Sequence, residues 1–129
     1  MRSTGGEQVK ALSIQQPWAW LIVNGHKPVE NRRWKTGYQG PLAIHAGKQF
    51  DRLGYDFVKS SFPDIEMPEP EAFERGGMVG TVEMTGCVTS SDNRFFFGPY
   101  GFILENARPC RFVPMIGKLS FFEVELEIS

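Results

Sequence analysis

The spacing of apolar residues changes along the chain, and each change marks an element. Residues 9–14 read as a short strand, and residues 17–24 as an apolar helix opened by Pro17 and stopped by Gly25. Residues 28–34 resume an extended pattern, Gly-Tyr-Gln-Gly-Pro at 37–41 is a turn, and 42–46 is the short apolar run of a buried strand. From 49 to 60, Phe50, Leu53, Phe57 and Val58 recur at near-helical spacing among Asp51, Arg52, Asp56 and Lys59, which predicts an amphipathic helix packed on the surface. Acidic, proline-rich residues 63–74 predict an irregular excursion. Strands follow at 78–88, 101–105 and 119–128, the last alternating Phe122, Val124, Leu126 and Ile128 with Glu123, Glu125 and Glu127. No period repeats, and the later strands cannot close on themselves without the earlier ones. The order predicts an α+β fold: a mixed, mostly antiparallel β-barrel flanked by two helices.

Composition agrees with this reading. The 129 residues fit one domain, with 1–8 expected to be flexible and 9–129 to form the domain. Eleven Phe and three Trp supply bulky core material, while 14 Gly and nine Pro favour short strands and turns over a helical bundle. No apolar run approaches the ~20 residues of a membrane helix, and the first residues lack the apolar core of a secretory signal. The expectation is a soluble, cytoplasmic protein. Cys87 and Cys110 have no metal-ligand spacing to each other or to His26 and His45, so neither a disulfide framework nor a metal site is indicated. No cofactor is expected.

The net charge of −1 suits neither a long cationic groove nor heavy phosphate neutralisation. Its distribution changes that picture. Residues 25–60 carry seven Lys or Arg against three Asp or Glu, net +4, whereas residues 61–85 carry one against six, net −5. The molecule is expected to be electrically two-sided.

Candidate chemistry concentrates in Gly-His-Lys-Pro-Val-Glu-Asn-Arg at 25–32. Lys27 lies at the helix exit, where partial desolvation beside another cation would depress its pKa and make it a base or nucleophile; the alternative is a solvated lysine. Glu30 and Arg32 share one face of a strand and can pair, either fixing the strand end or holding a base edge. Trp18 and Trp20 on the apolar helix divide between core and base stacking, with Trp34 and Tyr38 as other stacking candidates. His45, after an apolar run, reads as a semi-buried histidine or a general acid, and His26 as exposed. Ser13 and Gln15 can bond a ligand or cap the helix at Pro17. Lys48 can meet phosphate or flank the next helix, and Glu105 with Asn106 can complete a pocket opposite Lys27 or close a strand.

Ordered blocks run through the chain: Leu-Ser-Ile-Gln-Gln-Pro-Trp-Ala-Trp at 12–20, the Gly25, Lys27, Glu30, Arg32 series, Gly-Pro-Leu-Ala-Ile-His-Ala-Gly-Lys at 40–48, Gly-Thr-Val-Glu at 80–83, Tyr-Gly-Phe-Ile-Leu-Glu-Asn-Ala-Arg-Pro at 100–109 and Gly-Lys-Leu-Ser-Phe-Phe at 117–122. Over residues 10–125 these resemble the ASCH domain, one of the PUA-like small β-barrels associated with RNA and modified nucleosides. The resemblance implies an RNA or nucleoside pocket walled by Lys27, Glu30 and Arg32, with Trp20, His45, Lys48 and Glu105 as further binding residues. Some members of the family are amidohydrolases acting on N4-acetylcytidine through a threonine three residues after the motif lysine; here that position holds Glu30, so the acyl-accepting hydroxyl is missing. Thr36 and Ser13 are the nearest hydroxyls, and nothing in the sequence aligns either with that role. The alternative expectation is a small hydrolase of N4-acylated cytidine, or a metal-independent ribonuclease, with Lys27 as base and Glu30 as its partner. A third is a protein-interaction module using the acidic 64–74 loop.

Overall fold

A computed structural model of the chain describes residues 7–126. In chain order the elements are β1 (Glu7–Gln16), α1 (Trp18–Val23), β2 (Val29–Arg32), β3 (Gly40–Phe50), α2 (Arg52–Ser61), a short 3-10 turn at Pro70–Ala72, β4 (Gly77–Val88), β5 (Tyr100–Pro114) and β6 (Phe122–Leu126). The six strands form one sheet in the order β2-β5-β4-β3-β1-β6. Only β1 and β3 run parallel, and the other pairs are antiparallel. The first strand, expected over 9–14, runs from Glu7 to Gln16. The remainder of the flexible-terminus expectation, and the end of the last strand with Glu127 and Ile128, lie outside the described residues.

The barrel is not closed by backbone pairing: among the described residues no ladder joins β2 to β6. These edge strands are four and five residues long, and side chains bridge the gap between them. Trp34, just past β2, meets Phe121, just before β6, at 5.2 Å between ring centroids, and both rest against Phe102 of β5. Arg32 Nη2 donates across to Ser13 O of β1 at 3.0 Å. A side-chain seam therefore stands where a sixth row of ladder bonds would close the barrel.

Alternation along the strands sorts the core. Leu12, Ile14, Leu42, Ile44, Val82, Met84, Phe102 and Leu104 join Ala19, Ile22 and Val23 of α1 in the main cluster. Val9, Ala11, Ala43, Met78 and Phe122 form a second cluster. Burial on both faces explains why 42–46 reads as a continuous apolar run. A third cluster gathers Leu21, Val29, Val58, Ile65 and Phe95.

Three elements depart from expectation for local reasons. In α2, Leu53 is 82% exposed and Phe57 is half-open, while Gly54, Tyr55 and Val58 face inward. Gly54 sets that rotation, since a Cβ there would fall 2.4 Å from Trp18 Cζ2. The predicted end of β5 at 105 is passed. Asn106 adopts φ 53° and the β4–β5 register shifts nearby, and β5 runs on past the end of its pairing with β2, still laddered to β4, as far as Pro114. Residues 115–121 are irregular instead of opening the last strand, with Ser120 at φ 59°. The acidic 63–74 excursion is irregular as expected, but Ile65 and Phe73 pin it into the interior.

Candidate functional site

The short helix α1 sets up the seam. Gly25, at φ 83°, turns the chain back so that the amides of His26 and Lys27 both donate to Leu21 O at 2.9 and 3.0 Å. That turn carries the Lys27 side chain inward, where it is 3% exposed with its ammonium 5.6 Å from the Trp18 ring centre. Lys27 Nζ donates to Val29 O at 2.7 Å and to Glu30 Oε1 at 2.9 Å. Glu30, 7% exposed, uses its other oxygen to accept from Arg32 Nε at 3.0 Å. Arg32 then reaches Ser13 O. A buried charge persists only where it is paired and hydrogen-bonded, and this relay of cation, carboxylate and guanidinium satisfies that demand at each step.

The relay decides the place of each member. Lys27 spends its protons on a carbonyl and a carboxylate, so it orients Glu30, and it lines neither of the two cavities at the seam. Arg32 lines both. One cavity, about 490 Å³, is walled by Ser13, Arg32, His45, Lys48 and the strap 115–120; among the described residues it has three cationic side chains, Arg32, Lys48 and Lys118, and no acidic one. The other, about 440 Å³, lies between Gln15, Trp18, Glu30, Arg33 and Trp34. Ser13 and Arg32 belong to both walls.

His45 is Ser13's register partner across the parallel β1–β3 pair. It is 3% exposed; Nε2 lies 2.8 Å from Met115 O and Nδ1 lies 2.9 Å from Ser13 Oγ. Ile116 and Leu119, beside the cavity on the strap, are 85% and 95% exposed. Gly117 brings the strap's backbone against the pair: a Cβ there would lie 2.6 Å from His45 Cε1 and 3.0 Å from Ser13 Oγ.

Of the residues singled out from sequence, the fold brings Arg32, His45 and Lys48 to one cavity, with Glu30 behind Arg32 and Lys27 behind Glu30. Trp20 lines a separate cavity with Gln16, Asn24 and Pro109, and stacks on His26, which is thereby half-buried and not exposed. Glu105 is exposed, accepts from Thr85 Oγ1 at 3.1 Å, and lines neither seam cavity. Trp18 donates from Nε1 to Asp51 Oδ2 at 2.9 Å, while Asp51 caps α2 through Gly54 N. Met115 entered no sequence argument, and Gly117 and Lys118 entered only within the 117–122 block, with no part in the expected site. The signal for those two was Gly-Lys at 117–118. Among the described residues no three His, Cys, Asp or Glu side chains gather as a metal would need, and no helix is long and apolar enough to cross a membrane.

Known proteins resemble this chain to different depths. Human activating signal cointegrator 1 is 29% identical over 128 residues, covering 84% of this chain and 22% of that protein. Its mouse counterpart is 33% identical over 84 residues, covering 60% of this chain and 14% of its own length, so the chain matches only a small part of either relative. Among solved structures, a tyrosine-to-phenylalanine variant of the ASCH protein from Zymomonas mobilis superposes with a TM-score of 0.53 at 17% identity, over 82% of this chain and 75% of that one. That likeness shows a common fold. The ASCH domain family model matches residues 12–118, from the middle of β1 through the cavity-lining Lys118, and on that extent this chain belongs to the ASCH domain family.

Proposed function

We propose that this chain binds single-stranded RNA or a modified nucleoside at the seam, with Arg32 between two adjoining cavities. The carrying observation is that one guanidinium, oriented by Glu30 and Ser13 O, borders both the 490 Å³ and the 440 Å³ spaces. Both volumes fall within the ~300–1,000 Å³ of small-molecule sites. Arg32, Lys48 and Lys118 on one side supply phosphate contacts, and Trp18 and Trp34 on the other supply faces for a base, the usual division of work in single-strand recognition. At family level, the ASCH match supports RNA binding on a PUA-like fold. In this reading Glu30 and Lys27 shape the site by holding Arg32, and His45 completes its wall.

The test is binding of nucleosides and short single-stranded RNA to wild type and to Arg32→Ala, Lys48→Ala and Lys118→Ala. Arg32→Ala is expected to weaken RNA binding at least ~10-fold, as loss of a charge-assisted contact of ~1.5–3 kcal/mol would. Each lysine variant is expected to lower the slope of log affinity against log salt by about 0.7, the value for one phosphate contact on a single strand. Unchanged affinity in all three variants would sink the assignment.

A further inference from the structure

We propose that Ser13 is a nucleophile for acyl transfer, with His45 as its general base and the Arg32 guanidinium as the adjoining cation. The substrate class is a carboxylic ester on a phosphate-bearing carrier. Hydrogen-bonding rules fix the proton positions. Met115 O can only accept, so His45 Nε2 carries the hydrogen across their 2.8 Å contact. In the neutral imidazole Nδ1 is then bare, and the 2.9 Å contact has Ser13 Oγ–H donating to it. A hydroxyl on a ring nitrogen, with the ring's other nitrogen pinned by a third group, is the arrangement that activates a serine.

The surroundings separate this pair from an ordinary buried hydrogen bond. Ser13 and His45 both form cavity wall, beside Arg32 and two lysines that suit an anionic carrier. Two glycines border the hydroxyl. A Cβ at 117 would lie 3.0 Å from Ser13 Oγ and one at 47 would lie 3.4 Å away, so the backbone approaches the oxygen from both sides and a side chain at 117 would crowd it.

The step balances without a further reagent. Ser13 Oγ bonds to the ester carbon while its proton moves to His45 Nδ1. The carbon–oxygen bond to the leaving group then breaks, and that proton goes to the departing alkoxide. Water, deprotonated by the same nitrogen, cleaves the acyl-serine to a carboxylic acid and restores the hydroxyl. Only the phosphate-bearing half of the substrate class rests on the RNA reading above.

The experiment exposes the full chain to a serine-directed fluorophosphonate and to p-nitrophenyl acetate, with the adduct mapped by peptide mass. A phosphonyl group on Ser13 is expected, absent in Ser13→Ala and forming about 100-fold more slowly in His45→Gln, the scale of a lost general base. No adduct at Ser13 in the folded wild type, or equal rates in His45→Gln, would overturn the proposal. If glutamine at 45 unfolds the chain, ester hydrolysis that persists in Ser13→Ala overturns it instead. RNA binding measured in parallel separates the two readings: an adduct without RNA affinity supports the nucleophile and removes the carrier, while affinity without an adduct leaves only the binding site.

Discussion

Glu30 and Asp64 each receive an arginine, yet they sit in opposite settings. On the surface, Arg94 Nη1 and Nη2 meet the two oxygens of Asp64 at 2.9 and 2.8 Å, a bidentate pair with both side chains exposed. At the seam, Glu30 divides its oxygens between Lys27 and Arg32 at 2.9 and 3.0 Å, with the carboxylate buried. The surface pair has the better geometry. Water and salt nevertheless screen it, so little is lost when it breaks. The seam relay has given up hydration of its charges, so each member now depends on the others. Distance alone would rank the two ties in the wrong order.

Breaking the seam at its centre gives the largest effect. Glu30→Ala leaves the buried Lys27 ammonium with one acceptor and Arg32 with only Ser13 O, and is expected to destabilise the fold by about 3–5 kcal/mol in urea titration. Lys27→Met comes next. It keeps the volume under Trp18 and leaves Arg32 on Glu30, so a loss of about 1.5–3 kcal/mol is expected, the scale of one hydrogen bond to a charged group. A loss from Glu30→Ala no larger than that from Asp64→Asn would erase the distinction.

The smallest effect belongs to Asp64→Asn, a slight destabilisation that disappears in high salt. Its pH dependence sharpens the contrast. The hydrogen bonds from Arg94 hold the Asp64 carboxyl below its usual range. A carboxyl lowered on folding adds stability that is fully present above its unfolded value, ~3.9, and lost as pH falls through its folded value. The difference in melting temperature between wild type and Asp64→Asn is therefore expected to be flat from about pH 5 to 8 and to vanish in strong acid.

The strands were legible because alternation and short apolar runs are local. The end of α1 was legible because Gly25 alone supplies its reversal. Which face of α2 turns inward was not: Leu53 and Phe57 have the spacing of a buried stripe, but the close approach of Trp18 to Gly54 turns the helix. The open seam was equally hidden, since nothing local shows that Trp34, Phe102 and Phe121 fill a gap between two short edges. In the site, the charge types at 27, 30 and 32 were readable and their order of dependence was not. That order follows from Lys27 being carried under Trp18. Trp20 and Glu105 looked suitable by residue type, and only three-dimensional placement takes them elsewhere.

Ser13 and His45 are 32 residues apart and meet only across the parallel register of β1 and β3. A parallel pair needs its intervening crossover closed before it forms, which makes such contacts late and non-local. A chain still short of that register carries a serine no different from any other. Reactivity of Ser13 would therefore serve as a stopwatch for assembly: pulses of fluorophosphonate during refolding would time the docking of β1 on β3 through one chemically marked residue.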